Sequence, residues 1–303
     1  MRLVITPGMG IGPEVVARSL SAIKGAPSIT LMGDAVAIAS ALLDVGIDFE
    51  QRGDITSDSV IGVIDTSSLG TPAAVEAIRL AAQACLDGRA DAMVTGPIHK
   101  AKLIEQGFEH MGHTDMLGDI CGVPPVMAFV GGAVRVALVT THIPLSDVPT
   151  AITYDNVCHA VRTAHHALQH QLKMDTSRMV LCGLNPHAGE SGRLGDCERS
   201  VLTPAVSDLR AEGIDVIGPV SAETAFMEAV KGRFDMVVAM YHDQGLVPLK
   251  ALSFGESVNW TIGLPLVRTS VDHGTADDLV GTGKADPASM KAAIDLAMQI
   301  VRA

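Results

Sequence analysis

No apolar run in this chain of 303 residues approaches the roughly 20 residues a helix needs to cross a bilayer, so a helical membrane protein is not expected. An excess of positive charge is also missing: 22 Lys and Arg stand against 34 Asp and Glu, for a net charge of -12. A surface that tracks a phosphate backbone needs the opposite balance, which argues against a nucleic-acid partner. A small anion held by a few cations focused in a cleft remains compatible with it. A cysteine framework is lacking too. Cys85, Cys121, Cys158, Cys182 and Cys197 are odd in number, widely spaced and mostly set in apolar segments, so they read as reduced, buried residues outside the chemistry. The opening MRLVITPG passes straight into a glycine turn without a targeting pattern, and a cytoplasmic location is expected. Repeats, low-complexity tracts and obvious linkers are absent as well.

What is present is an ordinary globular composition, 48% hydrophobic and 18% charged, in a length that suits roughly two domains. Short apolar runs alternate with helix-like stretches from end to end. RLVIT precedes PEVVARSLSAI, SITLMGD precedes AVAIASALLDVG, and PAAVEAIRLAAQACLDG precedes ADAMVTGP. Strands alternating with helices of this length predict an α/β protein with a mostly parallel sheet. PGMGIGPE after the first strand superficially suits a dinucleotide turn, with Asp34 placed as its ribose-binding acid. The spacing of Gly8, Gly10 and Gly12 is wrong, however, and Pro13 takes the place of the last fingerprint glycine.

Three apolar runs end in histidine: VRVALVTTHIP (His142), MVLCGLNPHAG (His187) and FDMVVAMYHDQG (His242). Open parallel sheets bind ligands outside the carboxyl ends of their strands, where three neutral imidazoles could converge on a divalent cation. Each has orienting groups nearby: Asp147 near His142, Asn185 and Glu190 around His187, and Asp243 after His242. His159, His165, His166 and His170 share one helical stretch without the glutamate of a metalloprotease motif, and read as a solvated face. Further polar groups collect at other strand ends: His99 and Lys100, His113 and Thr114, Lys250, Asn259, and Arg268 with Asp272 and His273. Cations among hydroxyl and amide donors suit a bound phosphate or carboxylate.

GHTD, TTHIPL, GLNPHAGE, MYHDQGLVPLK, VNWTIGLP and RTSVDHGTA, in this order, resemble the 4-hydroxythreonine-4-phosphate dehydrogenase family of pyridoxal phosphate biosynthesis. The resemblance runs from ITPG through TGPIHK to GKAD, and so covers essentially the whole chain. It implies an isocitrate/isopropylmalate-dehydrogenase-like α/β/α fold of two domains around a cleft. The expected division is an NAD-side domain of residues 1–108 plus 262–303, and a metal-binding and dimerisation domain of residues 109–261. It further implies a homodimer with shared active sites and a cofactor, NAD or NADP, bound without the dinucleotide fingerprint.

Carried over by motif, the metal ligands are His142, His187 and His242, taking Zn, Mg, Co or Mn, and the substrate-binding residues are His113, Thr114, Lys250, Asn259 and Arg268. Lys250 and Asp243 are the candidate proton acceptors, and Gly189, Gly192, Asp272 and Asp286 the candidate cofactor contacts. The family reaction oxidises 4-phosphooxy-L-threonine and decarboxylates the product to 3-amino-2-oxopropyl phosphate. PGMGIGPE is shorter than the usual loop, the stretch between Gln51 and Thr71 is trimmed, and HTD replaces HTE. These departures leave two alternative substrates open, D-threonate or D-erythronate 4-phosphate for a paralogue, or an unphosphorylated diol; an alternative from another class is an acyltransferase resembling phosphate acetyltransferase, which would have no use for three metal-directed histidines.

Overall fold

A computed structural model describes residues 1–23, 27–58, 60–69, 72–105, 110, 112–253 and 255–303. Among the described residues, twelve strands follow one another: β1 (Arg2–Thr6), β2 (Ser28–Gly33), β3 (Phe49–Gln51), β4 (Ile61–Asp65), β5 (Ala92–Thr95), β6 (Val126–Gly131), β7 (Val134–Leu138), β8 (Met179–Cys182), β9 (Val216–Val220), β10 (Met236–Ala239), β11 (Val258–Ile262) and β12 (Arg268–Ser270). They belong to two compact units, Met1–Pro125 with Leu264–Arg302, and Val126–Gly263.

In the first unit the strand order is β3-β4-β2-β1-β5-β12, and every pairing is parallel. A parallel sheet covered on both faces calls for unbroken apolar strands, and β2 and β5 are buried throughout. Alanine-rich helix Ala73–Leu86 packs Ala77, Ile78 and Ala81 against Met93, together with Met116 and Leu117 of helix His113–Cys121. That packing places residues 113–125 in the first unit, although the sequence suggests a boundary at 108; position 108 itself lies outside the described residues.

Asp34 is spent on backbone. Its Oδ1 accepts from the N–H groups of Val36 and Ala37 at 3.0 and 3.2 Å and caps helix Ala35–Asp44. The Gly8–Gly12 turn is tight for packing reasons: a Cβ on Gly8 would lie 2.1 Å from the Pro97 carbonyl oxygen, and one on Gly10 2.2 Å from that of Thr275. Both glycines also have positive φ, so only glycine fits without strain.

The second unit has the order β11-β6-β7-β10-β8-β9. Its β11–β6 and β6–β7 pairs are antiparallel, whereas β7, β10, β8 and β9 run parallel. Met127, Phe129, Val136, Leu138, Val180 and Val237 form its core with Phe226 and Leu249 from flanking helices. The three histidine-bearing strands are therefore neighbours, with β10 between the other two. Ala239 pairs with Leu138 and Val238 with Leu181, which brings the three carboxyl ends level.

All five cysteines are free thiols, and burial pushes those of Cys85 and Cys182 up to about 12. Among the described residues no helix is long and apolar enough to cross a membrane. Asp34→Ala is expected to lower unfolding free energy by about 1 kcal/mol through loss of the cap, measured by urea denaturation.

Candidate active site

At the level edge of the second unit, β7 leads to His142 and β10 leads to His242, the first residue of helix His242–Ser253. Parallel strands place these imidazoles side by side, with ring centroids 5.6 Å apart and planes tilted by 42°. His242 Nδ1 lies 2.7 Å from Asp243 Oδ1. With its proton on Nδ1 the ring donates to the carboxylate and leaves the Nε2 lone pair free, the usual way an orienting carboxylate prepares an imidazole ligand. Thr141, His142, Val148, Tyr241, His242 and Asp243 line a cavity of about 300 Å³.

His187 follows β8 and lines a neighbouring cavity of about 610 Å³ with Asn185, Phe226, Tyr241, Asp243 and Gln244. Tyr241 and Asp243 line both cavities. Among the described residues no three His, Cys, Asp or Glu side chains are grouped closely enough to hold a metal ion. The structure thus brings two of the expected ligands together, and His187 stands on the wall of the adjoining space. Exposed imidazoles beside an orienting carboxylate fit a borderline divalent cation in donor chemistry.

Residues His187 to Ser191 all have positive φ, between 45° and 80°. Such a backbone costs roughly 1–2 kcal/mol per residue other than glycine. Buried Glu198 offsets part of this by accepting from the Asn185 N–H at 2.7 Å and from its Nδ2 at 3.1 Å. A Cβ on Gly189 would lie 2.6 Å from Glu198 Oε2. Asn185 is thereby engaged with Glu198, and Asp147 accepts from Ser146.

A second concentration of polar groups lies within the first unit. Arg268 opens β12, is 1% exposed, and donates from Nη2 and Nε to Thr95 Oγ1 at 2.7 and 3.2 Å. Burial lowers its pKa to about 9, which leaves the guanidinium charged at neutral pH. His113 begins helix His113–Cys121, and its Nε2 is buried without a hydrogen-bond partner among the described residues. Burial, then the charges of Arg268 and Lys100, hold this imidazole well below its usual pKa. A Cβ on Gly112 would lie 3.6 Å from Lys100 Nζ, so the ammonium stands by the N-terminus of the same helix. Two cations, a neutral imidazole and a helix N-terminus within one unit suit an anion.

Thr114 is half-buried in the first turn of that helix. In the second unit, Lys250 is exposed on helix His242–Ser253, and Asn259 is half-buried on β11. Gly189 is buried and Gly192 exposed, both with positive φ. Asp272 accepts from Ser289 Oγ at 3.5 Å, and Asp286 from the Ala288 N–H at 2.9 Å. The helix histidines remain peripheral: His165 pairs with Ser177, and exposed His166 and His170 have ring centroids 4.3 Å apart. The sequence offered no signal for Thr95, whose partner Arg268 is 173 residues away, or for Glu198, which bonds Asn185 across a turn 13 residues long.

The fold is shared with isocitrate dehydrogenase: that of Methylococcus capsulatus superposes with a TM-score of 0.54 at 15% identity, covering 98% of this chain and 85% of that one. More narrowly, the chain belongs to the family of pyridoxal phosphate biosynthetic protein PdxA, whose model matches residues 35–297. It is 42% identical to 4-hydroxythreonine-4-phosphate dehydrogenase of Geobacter metallireducens, over 99% of this chain and 96% of that one. The solved enzyme of that name from Klebsiella pneumoniae gives a TM-score of 0.84 at 35% identity, covering 99% of each chain. A terephthalate 1,2-cis-dihydrodiol dehydrogenase from Burkholderia xenovorans gives 0.70 at 28% identity, over 99% of this chain and 98% of that one.

The depressed His113 pKa ties stability to pH. Below 6.5 the unfolded chain takes up a proton that native His113 refuses. Its contribution is full above that value, declines as pH falls below it, and levels off once the native ring titrates. Urea unfolding between about pH 5 and pH 7 should show a shallower slope for His113→Asn than for the parent protein.

Proposed function

We propose that this chain is a divalent-cation-dependent dehydrogenase that oxidises 4-phosphooxy-L-threonine with NAD or NADP and decarboxylates the product. The secondary carbinol carbon gives its hydride to the nicotinamide and the hydroxyl gives its proton to a base, forming a β-keto acid. Cleavage of the bond to the carboxylate then releases CO₂, and reprotonation yields 3-amino-2-oxopropyl phosphate. Family membership and the names of the relatives support this reading. The observation that carries it is the His142–His242 pair at level strand ends, with Asp243 on His242 Nδ1.

His142, His187 and His242 would hold a divalent cation, Zn, Mg, Co or Mn, which when bound supplies Lewis acidity at the substrate hydroxyl and carbonyl. By motif, Arg268, His113 and Thr114 of the first unit and Lys250 and Asn259 of the second are assigned to the substrate's phosphate and carboxylate, whose binding would fix the carbinol carbon for hydride transfer. Lys250 and Asp243 are the two candidate proton acceptors, acting directly or through water. Gly189, Gly192, Asp272 and Asp286 are assigned to the cofactor, whose phosphates can approach exposed Gly192, where a Cβ would meet only the Arg199 guanidinium, at 3.9 Å. A cytoplasmic homodimer with shared active sites completes the proposal; exposed Met227, Val230 and Val247 supply apolar surface that a partner would cover.

The likeness to a dihydrodiol dehydrogenase favours a second reading, in which the substrate is a diol without phosphate. Buried Arg268 with Lys100 near the start of helix His113–Cys121 argues for the phosphorylated substrate. A panel of 4-phosphooxy-L-threonine, D-threonate 4-phosphate, D-erythronate 4-phosphate and an unphosphorylated diol, followed by cofactor absorbance, separates the two. Activity is expected with the first, should vanish after dialysis against chelator, and should return with a divalent cation. An undiminished rate after verified metal removal rejects cation dependence.

Lys250→Met should lower kcat by about 10²–10⁴-fold if Lys250 accepts the proton. Asp243→Asn should instead weaken cation affinity about 10–100-fold and recover turnover at saturating cation. Steady-state kinetics across a cation titration distinguishes the two roles.

A further inference from the structure

The parallel ladder between β8 and β10 pairs Val238 with Leu181. Just beyond it, a side chain takes over the join. Gln244 lies in the first turn of helix His242–Ser253, and its Oε1 accepts from the backbone N–H of Met240 at 2.7 Å. Its Nε2 donates to the Gly183 carbonyl, also at 2.7 Å. Met240 extends β10 toward His242, and Gly183 extends β8 toward His187. On the other flank, the Thr140 N–H and Oγ1 both donate to the Met240 carbonyl, at 3.1 and 2.7 Å, which ties in the end of β7 before His142. The Met240 residue is therefore a node. Its carbonyl holds the His142 strand and, through Gln244, its N–H holds the His187 strand.

We propose that Gln244 is a positioning residue for cation binding, setting the separation between the strand ends that carry His187 and His242. This rests on the cation reading given above. Between β7 and β10 the backbone itself maintains the spacing, with the Val139 N–H on the Ala239 carbonyl. Between β8 and β10 the carboxamide of Gln244 bridges the gap. Only a group that accepts at one atom and donates at the other satisfies both ends. A carboxylate would accept from Met240 but oppose the Gly183 oxygen, and a thioether of similar length would satisfy neither. Glu198 then continues the join from Gly183 into the next turn, through both bonds to Asn185.

The test is titration of metal-free protein with Co²⁺, read by calorimetry and by the visible absorption of the bound ion, with unfolding of the metal-free protein measured in parallel. Gln244→Met is expected to weaken Co²⁺ binding about 10–100-fold, the range for partners that orient metal ligands, and to alter the absorption spectrum. A variant with the parent's affinity and spectrum overturns the proposal. Should Gln244→Met fail to fold, Gln244→Glu replaces it, keeping the bond from Met240 and losing the one to Gly183. Its extra negative charge favours cations, so weaker binding supports the inference, and binding as tight as the parent's rejects it. Failure of the parent protein itself to bind Co²⁺ removes the cation reading and this inference with it, an outcome distinct from failure of the variants alone.

Discussion

Everything at the second unit's candidate site depends on the register of three parallel strands. β10 pairs with β7 and with β8, so residues that follow each strand start from the same edge. His142 and His242, 100 residues apart in sequence, then stand side by side, and His187 lines the adjoining cavity. A one-residue slip would reverse the side chains of a whole strand, and burial of Val136, Leu138, Val180 and Val237 opposes such a slip. The hydrophobic core of the unit thus also fixes where the imidazoles begin.

The second constraint is electrostatic. A net charge of -12 gives the protein no general attraction for anions, so an anionic substrate must be met by cations held locally. Arg268 is suited to that work because its side chain is buried and its fork is anchored on Thr95. The lowered pKa of His113 keeps that ring uncharged, and an uncharged imidazole serves as hydrogen-bond donor or acceptor as the substrate requires. Positive charge there is carried by Arg268, which stays protonated at neutral pH although burial lowers its pKa.

The sequence made the strands and their terminal histidines legible because both signals are local: an unbroken apolar run and the residue that follows it. The failed dinucleotide fingerprint was legible for the same reason, and the capping bonds of Asp34 agree with that reading. Glu198, Thr95 and the two-ended bond of Gln244 were not, because each is defined by a partner brought close only by folding. Gln244 reaches across 61 residues to Gly183, and Arg268 across 173 to Thr95. Nor could the extent of the first unit be read from composition. Helix His113–Cys121 joins it through the burial of Met116 and Leu117 against helix Ala73–Leu86, a tertiary choice that no local pattern announces.

His187 shows what the local signal leaves out. Like His142 and His242 it follows a strand, but it begins a run of left-handed residues and lines the larger cavity. A backbone of this kind persists only where surrounding bonds over-determine it. Here the buried Glu198 carboxylate holds Asn185 at the start of the run, and Gly189 lies close against the same carboxylate. The unusual backbone and the buried acid are thus two halves of one arrangement. Strain is tolerated at the strand end from which a candidate ligand and a candidate cofactor-binding turn both project, whereas β7 and β10 contain no residue of positive φ.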